Sequence, residues 1–225
     1  GVSSDFSGAI WPRAKTIIAH INPGMPSVPT SESIPYNAFD FVVLADHPVL
    51  KVQTPQLDSA FDAIARQIAD LIPNGASLQF GLGKVQLAVL AALKGKTGLR
   101  VHSGMISDPI LDLIDTDAIS SITTGVALGS EALYQRVSAH PKVRFAPVGY
   151  THDIRTLAAI DTFIAINSII EIDLFGQANA EFINCAQISG TGGLVDFLRG
   201  ARASTGGLPI VALNATAKGG TISRI

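Results

Sequence analysis

Short apolar segments alternate along the chain with stretches in which apolar residues recur every three or four positions. The first two segments, Thr16–Ile21 and Asp40–Leu44, are rich in β-branched and large apolar residues, which predicts two short buried strands. A helical periodicity follows them, with Asp58 at the position of its N-cap. The apolar residues of this predicted helix are Phe61, Ile64, Ile68 and Leu71.

From residue 77 onward the same alternation predicts a series of strand–helix units. The predicted strands are Ser77–Phe80, Leu99–Val101, Ala118–Ile122, Val143–Pro147 and Phe163–Ile166. The predicted helices between them are Gln86–Leu93, Pro109–Ile114, Glu131–Val137 and one around Ile154–Ala159. Apolar strands that alternate with helices favour a mostly parallel sheet covered by helices on both faces. We therefore predict an α/β fold, with a domain boundary near Thr54 that separates residues 1–54 from residues 55–225.

Composition and charge narrow the functional classes. The chain has 225 residues, of which 47% are hydrophobic and 15% charged, so it belongs with globular proteins. Its formal net charge of −2 gives no electrostatic reason to expect a nucleic acid or a membrane surface as partner. No apolar run approaches the roughly 20 residues that cross a bilayer. The single cysteine, Cys185, predicts a buried thiol and a reducing, cytoplasmic location.

Two glycine-rich segments each precede a predicted helix. They are Gly81-Leu82-Gly83 and Ser189-Gly190-Thr191-Gly192-Gly193. Each would place backbone amides at a helix N-terminus, where they suit an anion or a developing oxyanion, and the two loops could face one another across one site. Each is equally explained as a tight turn or a flexible loop. A dinucleotide fingerprint would need a third glycine where Gln86 stands, which disfavours a Rossmann cofactor site.

Other candidate chemistry lies in acidic and imidazole side chains. Glu171 and Asp173 alternate in a predicted strand, so both carboxylates would lie on one face and could do acid–base or nucleophilic work. A solvated sheet face explains the same spacing. The five histidines are scattered without metal-ligand spacing, so we expect no metal site.

Taken in order, the motifs resemble those of the acetyl-CoA hydrolase/transferase family, which includes 4-hydroxybutyrate and acetate CoA-transferases. The resemblance is carried by Lys15–Pro26, Gly81–Gly83, Val101–Asp108, Thr124–Ser130, Ile166–Gln177 and Gly190–Phe197. It implies two related open α/β halves with the active site between them, the first half being incomplete here. It also implies an acyl-CoA and a small carboxylic acid as partners, and a homodimer or higher homo-oligomer. The coenzyme A thioester would be a substrate, with no permanently bound cofactor.

The resemblance also assigns roles to residues. In the family a glutamate attacks the acyl-CoA thioester and forms an acyl-glutamyl anhydride, which CoA and then an acceptor acid resolve. The segment His102-Ser103-Gly104-Met105 has glycine at the position of that nucleophile. The oxyanion would be held by amides of two loops, formed by Gly81, Leu82 and Gly83 and by Gly190, Gly192 and Gly193.

Two readings of the site follow from Gly104. The chain would transfer CoA or hydrolyse acyl-CoA, or it would be a catalytically impaired homologue that only binds CoA esters. Glu171 would serve as a substitute or positioning carboxylate. Water would occupy the volume that the missing glutamate leaves beside Gly104.

Overall fold

A computed structural model describes residues 1–28, 32–53, 56, 59–116 and 118–225. The strands are β1 Ile18–Ile21, β2 Phe41–Leu44, β3 Ser77–Phe80, β4 Leu99–Ile106, β5 Ile119–Ala127, β6 Val143–Phe145, β7 Phe163–Ser168, β8 Glu171–Ile172, β9 Ala178–Asn179, β10 Phe182–Ile183, β11 Ala186–Gln187, β12 Leu208–Ala212, β13 Thr216–Ala217 and β14 Ile222–Ser223. The α-helices are α1 Ser7–Ile10, α2 Asp62–Asp70, α3 Lys84–Ala92, α4 Ile110–Asp115, α5 Glu131–Ala139, α6 Val148–Thr151, α7 Ile154–Ala158 and α8 Leu194–Ala203. The predicted boundary at Thr54 and the predicted cap Asp58 lie outside the described residues.

Within these residues, six strands form one sheet in the order β12-β7-β3-β4-β5-β6. Each neighbouring pair in this sheet is parallel. The predicted parallel α/β architecture is therefore confirmed. The other strands form two-stranded pairs, of which β1–β2 is parallel and the remaining three are antiparallel.

Helices cover both faces of the sheet, as predicted, and β7 shows how. Successive side chains of a strand point to opposite faces. Phe163 and Ala165 pack with α7 and α8 in one apolar cluster. Ile164 and Ile166 belong to the larger cluster that α2, α3, α4 and α5 cover on the other face. Both faces of the strand are therefore buried, which explains its uninterrupted apolar run.

The sheet is doubly wound. From β3 the chain runs through β4 and β5 to the edge strand β6, and then returns to place β7 on the other side of β3. It then reaches the opposite edge of the sheet with β12, ahead of β13 and β14. The winding direction thus reverses between β3 and β7, and in open α/β sheets ligands bind beyond the carboxyl ends of the strands at such a point.

The first residues of the chain extend this sheet beside β5. Ser4 N donates to Gly125 O at 2.8 Å, and Ala127 N donates to Val2 O at 2.9 Å. Val148 N donates to Asp5 O at 2.9 Å. Residues 2–5 therefore pack on the six-stranded sheet, although the predicted boundary groups them with β1 and β2.

Strands β4 and β5 are longer than predicted. Leu99–Val101 continues to Ile106 and Ala118–Ile122 continues to Ala127. The polar residues in this part of the sequence do not terminate the two strands, because they form hydrogen bonds within the sheet. Ser103, for example, donates its hydroxyl to Phe80 O at 2.9 Å.

Three sequence-based expectations are wrong. Strands β1 and β2 are largely exposed rather than buried, with Ile18 63% and Leu44 77% exposed. Asp173 does not share a strand face with Glu171, because β8 ends at Ile172 and the Asp173 carboxylate accepts backbone amides of Phe175 (2.9 Å) and Gln177 (2.8 Å) in a turn. Cys185 is exposed rather than buried. It lies in the turn between β10 and β11.

Candidate functional site

A cavity of about 840 Å³ opens at the carboxyl ends of β3, β4 and β7. It brings together five of the residues that the motifs singled out: Gly81, Leu82, Gly104, Gly192 and Gly193. The first glycine loop directly follows β3, and the second directly precedes α8 in the connection after β7. Both loops thus meet at the point where the winding of the sheet reverses, which is where a ligand site is expected in this architecture.

Three other candidates are absent from the described lining of this cavity. Gly83 caps α3 with a φ of 133°, which glycine adopts readily, and it lines a neighbouring cavity of about 290 Å³ that shares Gly81 and Leu82. Gly190 lies exposed in its loop. Glu171 is exposed, accepts from Asn179 Nδ2 at 2.7 Å, and lies 3.8 Å from Arg224 Nη1.

A pair of buried amides lies across β3 and β7 at the cavity wall. Asn167 Nδ2 donates to Gln79 Oε1 at 2.9 Å, and Gln79 Nε2 donates to Asn167 Oδ1 at 3.3 Å. A further bond of 3.0 Å joins the side chains of Gln86 and Ser168. These bonds tie β3 and α3, which flank the first glycine loop, to the end of β7. In the sequence, such a site is indicated by a polar residue within an otherwise apolar, buried strand, as Asn167 is in β7.

Gly104 lies on β4 with the imidazole of His152 against it. A Cβ atom at residue 104 would be 2.8 Å from His152 Cε1 and 3.0 Å from Nε2. A Cβ at Gly193 would be 2.5 Å from the same Nε2. The ring therefore fills the space between two glycines. An imidazole from the residue that follows α6 thus occupies part of the volume beside Gly104, and both residues line the 840 Å³ cavity.

His152 is held by its neighbours on both sides. Its Nδ1 lies 2.9 Å from Thr151 Oγ1, and its ring centroid is 4.5 Å from that of Phe197 on α8. His102 Nε2 donates to the carbonyl of Thr151 at 3.1 Å, which fixes the end of α6 against β4. No local pattern around His152 indicates that this residue belongs to the site.

Burial controls the charges here. It lowers the pKa of His152, although the nearby carboxylates of Asp196 and Asp5 act to raise it. Burial raises the pKa of Asp5, with His152 acting in the opposite direction. Burial also lowers the pKa of His102. Both imidazoles are therefore neutral at pH 7.

The arrangement offers backbone amides from two loops, a neutral imidazole and two carboxylates, but no carboxylate at residue 104. Across the described ranges, no group of three or more His, Cys, Asp or Glu side chains could hold a metal ion. None of the described helices has the length and apolar character needed to cross a membrane. The doubly wound sheet, with both glycine loops at the carboxyl ends of its strands, defines an α/β protein with a candidate ligand site at the point where the winding reverses.

Comparison with known proteins identifies the family. Residues 129–225 match the model described as acetyl-CoA hydrolase/transferase C-terminal domain. The chain is 38% identical to 4-hydroxybutyrate coenzyme A transferase of Clostridium kluyveri, over 100% of this chain and 54% of that protein. The chain therefore belongs to the acetyl-CoA hydrolase/transferase family, as its motifs predicted, and it spans about half the length of the curated relatives it matches.

Solved structures agree with this assignment. RipA from Yersinia pestis is 32% identical with a TM-score of 0.92, over 100% of this chain and 53% of that one. A 4-hydroxybutyrate CoA-transferase from Porphyromonas gingivalis is also 32% identical, with a TM-score of 0.88, over 100% of this chain and 56% of that one.

Proposed function

We propose that this protein acts on coenzyme A thioesters, either moving CoA from an acyl-CoA to a small carboxylic acid or hydrolysing the acyl-CoA. One observation carries the proposal: the glycine loops after β3 and β7 converge on a single cavity, each at the N-terminus of a helix. Amides in that position stabilise the oxyanion that forms when a thioester carbonyl is attacked. The names of the relatives support the same substrate class.

Gly104 favours the second of these reactions. Without a carboxylate there, no acyl-glutamyl anhydride forms at residue 104, so acyl transfer to water is the route that remains. The same glycine favours a second candidate function, binding of CoA esters without turnover. In both cases the ligand is an acyl-CoA, and no permanently bound cofactor is needed.

The same proposal extends to the organisation of the protein. Residues 1–54 would be the remainder of an N-terminal α/β half, and residues 55–225 the C-terminal half that carries both loops. The family resemblance supports a homodimer or higher homo-oligomer, and the single cysteine supports a cytoplasmic location.

Ligand binding is tested by thermal unfolding of the full-length protein. CoA and acetyl-CoA should raise the melting temperature, because a ligand present at 100 times its Kd stabilises the folded state by about 2.7 kcal/mol. NAD should leave it unchanged, since Gln86 stands where its fingerprint has a glycine. A response to NAD and none to CoA would contradict the proposal.

Covalent transfer is tested by exchange of labelled acetate into acetyl-CoA. The natural protein should show no exchange, whereas it should release CoA thiol from acetyl-CoA if it is a hydrolase. Gly104→Glu should create exchange, and more readily together with His152→Ala, which removes the ring from the path of the new side chain. Robust exchange by the natural protein that Gly104→Glu does not increase would place the nucleophile elsewhere.

A further inference from the structure

The His152 ring presents its Nε2 atom between the two glycines of the cavity. Cβ atoms at Gly104 and Gly193 would lie 3.0 and 2.5 Å from Nε2, so the imidazole fits only because both residues lack a side chain. The described residues offer Nε2 no hydrogen-bond partner, and the ring lines the 840 Å³ cavity. A polar ring atom thus lies beside the position where the family has its attacking group.

The Thr151 hydroxyl lies between two hydrogen-bond partners. It is 3.4 Å from Pro147 O and 2.9 Å from Nδ1 of His152. In the tautomer in which the hydroxyl donates to Pro147 O, it accepts from Nδ1–H, and the neutral ring carries its lone pair on Nε2. That is the tautomer in which the ring can take a proton at Nε2.

We infer that His152 is the general base of a thioester hydrolysis at this site, where it activates water in place of an attack by a residue-104 carboxylate. This inference rests on the proposed action on CoA thioesters.

The step balances without a further reactant. Nε2 takes a proton from water while the water oxygen bonds to the thioester carbonyl carbon, and the carbonyl electron pair moves to the oxygen facing the glycine loops. When that pair returns, the carbon–sulfur bond breaks and CoA leaves as a thiolate. The imidazolium gives its proton to the sulfur, which yields the carboxylic acid, CoA thiol and neutral His152.

Charged and titratable groups reach His152 from three elements. Asp196 comes from α8 and Asp5 from the N-terminal segment, and both favour the imidazolium as it forms. His102 comes from β4 and is neutral through burial, so it adds no competing positive charge. Because burial holds the pKa of His152 below its usual value of about 6.5, the hydrolysis rate should rise with pH and level off below neutrality.

The test compares His152→Gln with a matched control, His20→Gln. His20 is exposed on β1, outside the described lining of the cavity. Thiol release from acetyl-CoA by the full-length protein should fall by about 10²- to 10⁴-fold in His152→Gln and stay within about twofold in His20→Gln. KM and the melting-temperature shift with CoA should change less than about twofold in both. Added imidazole should restore part of the activity of His152→Ala.

Each alternative outcome has a distinct meaning. If His152→Gln binds CoA and hydrolyses acetyl-CoA as the natural protein does, the inference is overturned and the proposed function stands. If the natural protein binds CoA but releases no thiol, the base role is again overturned and binding remains. If it neither binds nor hydrolyses, the proposed function itself fails. If His152→Gln does not fold, the pH dependence of hydrolysis by the natural protein tests the inference instead. A hydrolysis rate that does not change between about pH 5 and about pH 8 refutes a histidine base.

Discussion

Gly104→Ala tests whether the His152 ring occupies the space of a side chain at residue 104. The added methyl group would lie 2.8 Å from Cε1 and 3.0 Å from Nε2, whereas carbon atoms pack at about 3.5–4.0 Å. The ring must therefore move by about 0.5–1 Å. Its contacts with Thr151 and Phe197 resist that movement. We expect Gly104→Ala to lower the free energy of unfolding by about 1–3 kcal/mol, the usual cost of overpacking.

Without the His152 ring, Gly104→Ala should no longer destabilise the protein. His152→Ala alone destabilises the protein, because it loses the contact with Phe197, but in that background Gly104→Ala should cost almost nothing. The coupling energy of the double-mutant cycle should therefore be about 1–3 kcal/mol. Gly149→Ala is the matched control, since a Cβ there meets nothing within 4 Å and α6 accepts alanine. It should leave stability unchanged or raise it by up to about 1 kcal/mol.

The measurement is urea unfolding of all five proteins at one pH, with the free energy obtained by linear extrapolation. The reasoning is refuted if Gly104→Ala costs the same with and without the ring. It is equally refuted if Gly104→Ala is as harmless as Gly149→Ala.

Three further predictions concern the surroundings of this ring. Gly125→Ala should cost about 3 kcal/mol in urea unfolding, and His152→Ala should not relieve it, because the new Cβ would lie 2.9 Å from the backbone oxygen of Gly104. The free energy of unfolding should fall as the pH drops below about 6.5, because burial lowers the pKa of His102 and His152 in the folded state. In that pH range the unfolded chain binds more protons than the folded protein does. His102→Gln should make that decline shallower in a urea series over pH, and a slope identical to the natural protein's would contradict this. Among the described residues, the exposed carboxylate of Glu171 pairs only with Asn179 and Arg224. Glu171→Gln should therefore change the rate of thiol release less than about twofold and the free energy of unfolding by less than about 1 kcal/mol. Peptide mapping after incubation with acyl-CoA and borohydride should find no adduct on Glu171.

The fold was predictable because its determinants are local. A strand buried on both faces must be apolar throughout, and β7 shows this in Phe163–Ile166. Helical spacing and the glycines at helix starts are equally short-range signals. Strand ends were less predictable, since Ser103 stays in β4 through a bond to Phe80 on the neighbouring strand, which no local pattern reveals.

The site was predictable only in part, for the same reason. Gly81–Gly83 and Gly192–Gly193 carry their own signal, because glycine before a helix has a recognisable backbone role. His152 and Asp5 reach the cavity through the docking of α6 and of the N-terminal segment, which depends on contacts far apart in the chain. The prediction for Asp173 was wrong because its alternation with Glu171 is typical of a strand. Its carboxylate instead accepts nearby backbone amides and stabilises a turn.

Glycine at residue 104 has two consequences: the site lacks a carboxylate there, and the ring of His152 has room to lie beside it. The imidazole of His152 lies between Gly104 and Gly193, and a Cβ on either residue would overlap it. A side chain at residue 104 and the ring of residue 152 therefore compete for one place in the cavity. Under the proposed function and the inferred base role of His152, a carboxylate there attacks the thioester directly, whereas an imidazole there activates water. The residue pair at 104 and 152 then sets whether the acyl group passes to the protein or to water, while the two glycine loops serve either reaction unchanged.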